Sequence, residues 1–258
     1  MSKEHFWPKW LSEYLPKHPV HSYISEFYSA EGKVPMRLAK KEERQGQVLS
    51  KKIRVVCNEC NNGWMSQLEE KNKPTLLRIL KKECKTISKE EIAHLALWSV
   101  VKCIVGEHAV KEMALTPYCD REMIRIKKII PEYFRVYISR HTSSVKAAYS
   151  RHSSTISYNM DGPNPPLPEG IDRNIQLTNF LVGDLYICIF SARLSDGNID
   201  NLFSSKKLFI ITPPQEIRYL DLPELSDKEL AYVSNHLSRL LSHPRVKYGG
   251  PLPNKNII

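Results

Sequence analysis

The chain has 258 residues, of which 41% are hydrophobic and 26% charged, a composition typical of a globular protein that folds around its own core. Its net charge of +10 lies in the first 150 residues, where 27 Lys and Arg face 17 Asp and Glu, whereas the remainder is balanced at 11 against 11. Such a positive field attracts polyanions and favours DNA or RNA over a neutral small ligand, although a merely solubilising surface gives the same balance.

No apolar run reaches the roughly 20 residues that a membrane-spanning helix needs, and the N-terminus lacks the apolar core of a signal peptide. We therefore expect a cytoplasmic protein with no membrane partner. Among the six cysteines only Cys57 and Cys60 are regularly spaced, which predicts free thiols and one metal-binding pair rather than a disulfide framework.

The N-terminal region is rich in aromatic and turn-forming residues. Its charged stretch, residues 40–44, is interpreted as a solvated loop or helix face. A helical pattern of leucines begins at Ser66, and Pro74 is expected to break this helix or to begin a new one.

Two helices are predicted in the middle of the chain. Ser88 and Glu91 have the spacing of a capping box, and the run that follows is apolar on nearly all sides, which predicts a buried central helix. A second helix is expected over residues 120–130, with Pro131 ending it.

The second half of the chain changes to β character. Four segments rich in Tyr, Val, Ile, Ser and Thr are predicted strands, namely residues 135–141, 145–158, 175–193 and 207–212. Residues 161–170 are predicted to form a loop. Ser226 and Glu229 repeat the capping-box spacing and open an amphipathic helix that is expected to continue to Leu241.

These elements together predict an α+β fold, with helices first and a mainly antiparallel sheet with a terminal helix after them. We divide the chain into a site-bearing module over residues 1–70, a helical region over 71–132 and an α+β domain over 133–258. The last region is a candidate platform for a protein partner.

Two short segments stand out as carriers of chemistry. The first, SKEHFWPKWL, begins at Ser2, and the second, VVCNECNNGWMSQLEE, begins at Val55. Two residues separate Cys57 from Cys60, the spacing with which a turn points two thiolates at one zinc ion. A single pair supplies half of a tetrahedral site, and taken alone it is equally consistent with an incidental or a redox pair.

Taken in order, the two segments resemble the HNH endonuclease family, in members where a Glu-His-x-x-Pro-x-Trp-Leu segment precedes CxxCN and Gly-Trp-Met. The resemblance implies a two-strand-and-helix (ββα) metal module and a hydrolase that cleaves phosphodiester bonds in nucleic acid, DNA in our reading. It implies that His5 is the general base and that Glu4 and Asn61 hold a divalent ion, Mg²⁺ or Mn²⁺, with the adjacent Asn62 as an alternative ligand. Cys57 and Cys60 would bind a separate structural Zn²⁺.

These residue types suit the metal-assisted hydrolysis of a phosphodiester bond. A histidine with an ordinary pKa near ~6.5 can deprotonate water at neutral pH. Carboxylate and amide oxygens suit a hard ion that retains water, whereas thiolates suit zinc.

Two parts of the family pattern are missing from this sequence. Members commonly carry another CxxC before the Glu-His segment, but here three residues precede Glu4. Either the true start lies further upstream, or the protein does without zinc, or other ligands substitute; His18 and His21 are nearby candidates, although a His pair around Pro19 is more typical of a surface loop. The middle Asn expected shortly before Cys57 is also absent. The alternative function is therefore a catalytically inactive, HNH-derived nucleic-acid-binding or regulatory protein.

Other residues receive structural interpretations. His94 is expected to be a hydrogen-bonded core histidine, and Cys84, Cys103, Cys119 and Cys188 small buried hydrophobes. The tryptophans Trp7, Trp10 and Trp64 are expected to form the core of the small module rather than to stack on bases. Five lysines form either a phosphate-facing surface or only the exposed side of two helices: Lys81, Lys82, Lys85, Lys89 and Lys102.

Overall fold

The computed structural model describes residues 2–16, 20–29, 36–45, 52–108, 114–154, 156–158, 174–193, 203, 207–237 and 246–248. The helices are α1 (Asn58–Cys60), α2 (Ser66–Leu80), α3 (Lys89–Glu107), α4 (Tyr118–Lys127) and α5 (Asp227–Ser234). The strands are β1 (Ser2–His5), β2 (Val20–Ser29), β3 (Met36–Gln45), β4 (Lys52–Val56), β5 (Thr86–Ile87), β6 (Phe134–His141), β7 (Ala147–Ser154), β8 (Ile156–Tyr158), β9 (Ile175–Val182), β10 (Leu185–Ala192), β11 (Phe209–Ile210), β12 (Ile217–Arg218), β13 (Glu224–Leu225) and β14 (Val246–Tyr248).

The fold is α+β, as the sequence predicts. Its main sheet runs in the order β11-β6-β10-β9-β7, with every pairing antiparallel except that of β13, which lies parallel to β6. Strands β9 and β10 form a tight hairpin in which Val182 pairs with Leu185. Gly183 occupies the turn at φ +62°, a conformation that costs glycine little.

Both faces of this sheet are covered, because side chains of β10 alternate between two cores. Leu185, Ile187 and Ile189 pack on the side of α2 and α3. Tyr186, Cys188 and Phe190 pack on the opposite side. The larger core also contains Phe6 and Trp7 from the N-terminal segment, so it takes residues from all three predicted regions. Those domain boundaries stay a prediction.

The central helix α3 confirms its sequence pattern. Ser88 caps it through a capping box with Glu91, and its residues from Leu95 to Glu107 are buried. Glu91 also accepts hydrogen bonds from Thr75 and Arg78 of α2, at 2.9 and 2.7 Å, which fastens the two helices together.

Two predictions about helix ends are wrong. Pro74 lies inside α2 without ending it. The carbonyl of Glu70, four residues earlier, loses its usual donor, but Glu70 is exposed and water can serve instead. Helix α4 ends at Lys127, before Pro131, because Lys128 adopts a left-handed conformation at φ 58°.

The charged stretch 40–44 belongs to strand β3, which pairs with β2 from Val20↔Gln45 to Ser29↔Met36, so its interpretation as a loop or helix face is wrong. The two strands are consecutive in the chain, and a run of charged residues does not reveal that they pair. The second capping box, at Ser226, is confirmed, and the helix that it opens ends at Ser234. Residues 236–237 are helical again, and the rest of the predicted helix lies outside the described residues. The predicted loop 161–170 and Leu241 lie outside the described residues. Within those residues, no helix has both the length and the apolarity to cross a membrane.

Candidate functional site

The segment that carries His5 pairs with the segment that leads to the cysteines. Strand β1 runs antiparallel to β4, with Ser2 opposite Val56 and His5 opposite Lys52, and the register shifts between Ser2 and Glu4. Strand β4 then passes directly into Cys57 and the helical turn after it. The structure thus joins the two sequence motifs in one strand–strand–helix unit.

Residues 57–61 form what we call the cysteine turn. Cys57 has an extended backbone and caps α1, its Sγ accepting a hydrogen bond from the N–H of Cys60 at 3.2 Å. Cys57 is exposed and Cys60 half-buried. Hydrogen bonds from Cys60 lower the pKa of the Cys57 thiol, whereas burial raises the pKa of the Cys60 thiol. The turn has the local geometry with which a CxxC segment presents sulfur to a metal.

The two asparagines differ in their surroundings. Asn61 is half-buried, and its N–H donates to the carbonyl of Cys57 at 3.0 Å, whereas Asn62 is exposed. Both lie in a π-helical turn, Asn61–Met65, that Gly63 kinks with φ −96° and ψ −113°. The kink reorients the chain before α2 begins. We call Asn61–Met65 the kinked turn.

The pairing places His5 and Asn61 near opposite ends of the β1–β4 strand pair. His5 lies at the Lys52 end, whereas Asn61 follows the Val56 end. The ammonium group of Lys102 contacts both the carbonyl oxygen of His5 and the carboxylate of Glu69, which lies in α2. Glu4 belongs to β1, and the structure describes its strand but not its side chain.

The sequence pattern did not reveal that Lys102 holds the backbone of His5. Lys102 donates from Nζ to the carbonyl oxygen of His5 at 3.0 Å and forms an ion pair with Glu69 at 3.5 Å. Lys102 is 2% exposed. It therefore belongs neither to a phosphate-facing surface nor to the exposed side of a helix, which corrects both expectations for this residue. Lys81, Lys82, Lys85 and Lys89 are exposed. One signal was available, since a lysine in a helix that is apolar on all sides needs a buried acceptor.

Positive charge from α4 lies beside the cysteine turn. The Lys128 ammonium lies 4.0 Å from the centre of the Trp64 ring, a cation–π contact. Burial lowers the pKa of Lys128, as does the charge of Arg125. Arg125 in turn lowers the pKa of Cys60, although burial of that thiol has the larger and opposite effect. Arg125 therefore offsets only a part of the effect of burial on the Cys60 thiol, whose pKa stays above its usual value.

The aromatic residues have mainly structural roles. Trp7 is 1% exposed and packs edge-on against Phe180 of the main sheet. It is buried as predicted, but in the large core that includes the sheet and not in a core of the small module alone. Trp10 and Trp64 are half-buried and pack against the same core. His94 is half-buried, and burial lowers its pKa. Among the other cysteines, Cys84, Cys103 and Cys188 are buried as predicted, but Cys119 is exposed because it lies on the outer side of α4.

The described part of the chain contains no group of three or more His, Cys, Asp or Glu side chains arranged to hold a metal ion. His18 lies outside that part, and for His21 only the strand is described.

Comparisons of the chain with family models, with curated proteins and with solved structures give no match.

Proposed function

We propose that this chain is a metal-dependent endonuclease of the HNH type, which hydrolyses phosphodiester bonds in nucleic acid, DNA in particular. The observation that carries the proposal is the pairing of β1 with β4. It joins the Glu-His segment to the CxxCN segment in the order strand, strand, helix, although His5 and Cys57 are far apart in sequence.

Charge supports a polyanionic substrate. The chain carries a net charge of +10. Exposed lysines follow the end of α2, at Lys81, Lys82 and Lys85, and cations of α4 lie beside the cysteine turn. Such residues contact phosphates without regard to base sequence.

His5 would act as the general base that takes a proton from the attacking water, and the Lys102 contact holds its backbone in place. Asn61 and Glu4 offer the oxygen donors that Mg²⁺ or Mn²⁺ prefers, with Asn62 as the alternative to Asn61. When bound, the ion neutralises charge on the leaving oxygen. Cys57 and Cys60 suit Zn²⁺, because the N–H of Cys60 already donates to the Cys57 sulfur.

The test is cleavage of a supercoiled plasmid and of a labelled single-stranded RNA by the full chain with Mg²⁺, Mn²⁺ or chelator. We expect DNA cleavage that requires the metal and falls by at least about 100-fold in His5→Ala, the lower end of what general-base catalysis contributes. The matched control is His152→Ala, a half-buried histidine on β7 of the main sheet. Cleavage that is equal in wild type and His5→Ala removes His5 from the mechanism.

Salt-sensitive DNA binding without turnover, under any divalent ion, would instead support the inactive nucleic-acid-binding protein. If the chain does not bind nucleic acid at all, both the nuclease and the inactive nucleic-acid-binding protein are excluded. A zinc content that is lost in Cys57→Ser and Cys60→Ser, but not in Cys119→Ser, would assign the structural metal.

A further inference from the structure

His141 ends strand β6, and its side chain is buried on the side of the main sheet that α5 covers. Val136 and Ile138 of the same strand pack towards α2 and α3, so the alternation of a strand directs Tyr137 and His141 to the opposite face. His141 is 3% exposed. Among the described residues, neither nitrogen of its ring has a hydrogen-bond partner, although both are buried. A neutral ring in such a place is unfavourable, and a charged ring is far more so.

Charged groups from three elements face this ring. Lys146, between β6 and β7, lies 2.6 Å from the carboxylate of Asp184 in the β9–β10 turn, and Asp227 begins α5. The two carboxylates and the backbone of Gly183 raise the pKa of His141, but burial and the charge of Lys146 outweigh them and lower the pKa. The covered imidazole is therefore neutral at neutral pH, and it binds a proton more readily where water reaches it.

The segment that covers this ring is attached to β6 by a short parallel pairing. Strand β13 has only two residues. The N–H of Arg140 donates to the carbonyl of Pro223 at 2.8 Å, and the N–H of Thr142 donates to that of Leu225 at 3.1 Å. Strand β10, on the other edge of β6, is paired along nearly its whole length. Separation of β13 and α5 therefore breaks fewer bonds than separation of β10, and it uncovers the ring.

We propose that β13 and α5, residues 224–234, form an acid-sensitive cover over His141, which separates from β6 more often when the ring can bind a proton. The imidazolium is unfavourable under the cover and favourable in water, so proton binding stabilises the open state. Opening exposes the apolar side chains of Tyr137, Leu225 and Val233, which meet in this core. Acid thus creates an apolar surface that neutral pH conceals, and no part of the proposed nuclease chemistry is needed for it.

Proton binding by His141 fixes the direction of the pH dependence. In the open state its pKa returns to about 6.5, whereas in the closed state the pKa is lowered. The closed state is therefore favoured most above pH ~6.5, and this advantage is lost as the pH falls towards the lowered pKa. From pH ~7 to pH ~5 the open fraction should rise by up to about 25-fold. Glu229, which caps α5, keeps its charge over this range because its pKa is lowered to about 2.

Hydrogen exchange of the native full chain at pH ~7 and pH ~5 tests the proposal, with each rate divided by the intrinsic rate of that amide. The N–H groups of Arg140 and Thr142 report on the cover, since their acceptors leave with it. The N–H of His141 is the internal control, because its acceptor is the carbonyl of Asp184 beside β10. We expect the protection of Arg140 and Thr142 to fall by about tenfold or more at the lower pH, and that of His141 by less than about twofold.

Two variants assign the effect to the ring. His141→Leu removes the titrating group and breaks no side-chain hydrogen bond of the described residues, so Thr142 should be equally protected at both pH values. His152→Leu is the matched control, since His152 is a half-buried histidine on the neighbouring strand β7. It should retain the full response of the wild-type chain.

Three results would overturn the proposal: equal protection of Thr142 at both pH values in wild type, an undiminished response in His141→Leu, or equal losses of protection at His141 and Thr142. If His141→Leu fails to fold, titration of the His141 ring by NMR in the wild-type chain decides. A ring pKa at the ordinary value near ~6.5 in the closed state would equally overturn the assignment.

Discussion

Lys102 donates a hydrogen bond from its ammonium group to the carbonyl oxygen of His5 at 3.0 Å, across 97 positions of sequence. The same nitrogen lies 3.5 Å from a carboxylate oxygen of Glu69 on α2. Because a buried ammonium group is stable only among acceptors, these contacts explain how a lysine is tolerated inside α3. One side chain thus connects the strand of the proposed base with two helices.

Replacing Lys102 by Met keeps the length of the side chain and removes its charge. We expect the free energy of unfolding to fall by about 2–4 kcal/mol, because Glu69 loses its cation and the His5 carbonyl loses this donor. Urea unfolding measures the loss, and faster amide exchange along β1 locates it. Lys89→Met, at the exposed start of the same helix, should change stability by less than about 0.5 kcal/mol.

A double-mutant cycle separates the ion pair from packing. Glu69→Gln should cost less stability in Lys102→Met than in the wild-type chain, because its partner is already gone. Additive effects of the two changes would show that the pair contributes nothing of its own.

The sequence predicted correctly those structural features that depend on only a few neighbouring residues. Both capping boxes, at Ser88 and Ser226, are formed because their donors and acceptors lie within four residues. The apolar α3 was equally legible, since burial on all sides leaves its pattern in the sequence. Residues 175–193 were correctly predicted as β structure, but the turn at Gly183 that divides them into β9 and β10 was not predicted.

Two features that escaped prediction depend on distant partners. Lys102 was read with the surface lysines because its acceptors lie 33 and 97 positions away. The pairing of β2 with β3 was missed for a different reason, because residues 40–44 are all charged and lack the alternation that marks a strand. The motifs of the candidate site were visible, but the level of His5 relative to Asn61 is set by the register of β1 with β4, which sequence spacing does not contain.

Glu91 should make the α2–α3 contact dependent on pH. Burial alone raises the pKa of its carboxyl group, but hydrogen bonds from Ser88, Arg78 and Thr75 outweigh burial and hold the pKa below its usual value. A depressed folded-state pKa stabilises the fold above the unfolded pKa, near ~4.3, and this contribution is lost as the pH falls through the folded pKa.

Glu91→Gln should therefore destabilise the protein at pH ~7 and converge with wild type as the solution is acidified below pH ~4.3. Urea unfolding at a series of pH values measures the difference. Glu90→Gln is the matched control, because Glu90 precedes Glu91 in the same helical turn and is exposed. A Glu91→Gln deficit that stays constant on acidification would contradict the assignment of charge to this network.

Gly183 allows the β9–β10 hairpin to close against α2. A Cβ atom at this position would lie 2.5 Å from Cδ2 of Leu80, and the backbone is left-handed. We expect Gly183→Ala to cost about 1–2 kcal/mol, mainly from the left-handed conformation, with a smaller part from the overlap because the end of the Leu80 side chain can shift. In a Leu80→Ala background the overlap disappears but the conformational cost remains, so the effect of Gly183→Ala should shrink without vanishing.

The choice between Asn61 and Asn62 decides where the proposed divalent ion binds. Asn61 is half-buried and its backbone is fixed to Cys57, so an amide held there loses little freedom on binding, whereas the exposed Asn62 must be ordered by the ion. We therefore expect Asn61→Ala to weaken Mn²⁺ binding by at least about tenfold and Asn62→Ala to change it little. Paramagnetic broadening of side-chain amide signals by Mn²⁺ measures both affinity and proximity. If the signals of Asn62 broaden first and Asn61→Ala binds Mn²⁺ normally, the ligand is Asn62; if His5 stays sharp at saturation, the ion does not share a site with the proposed base.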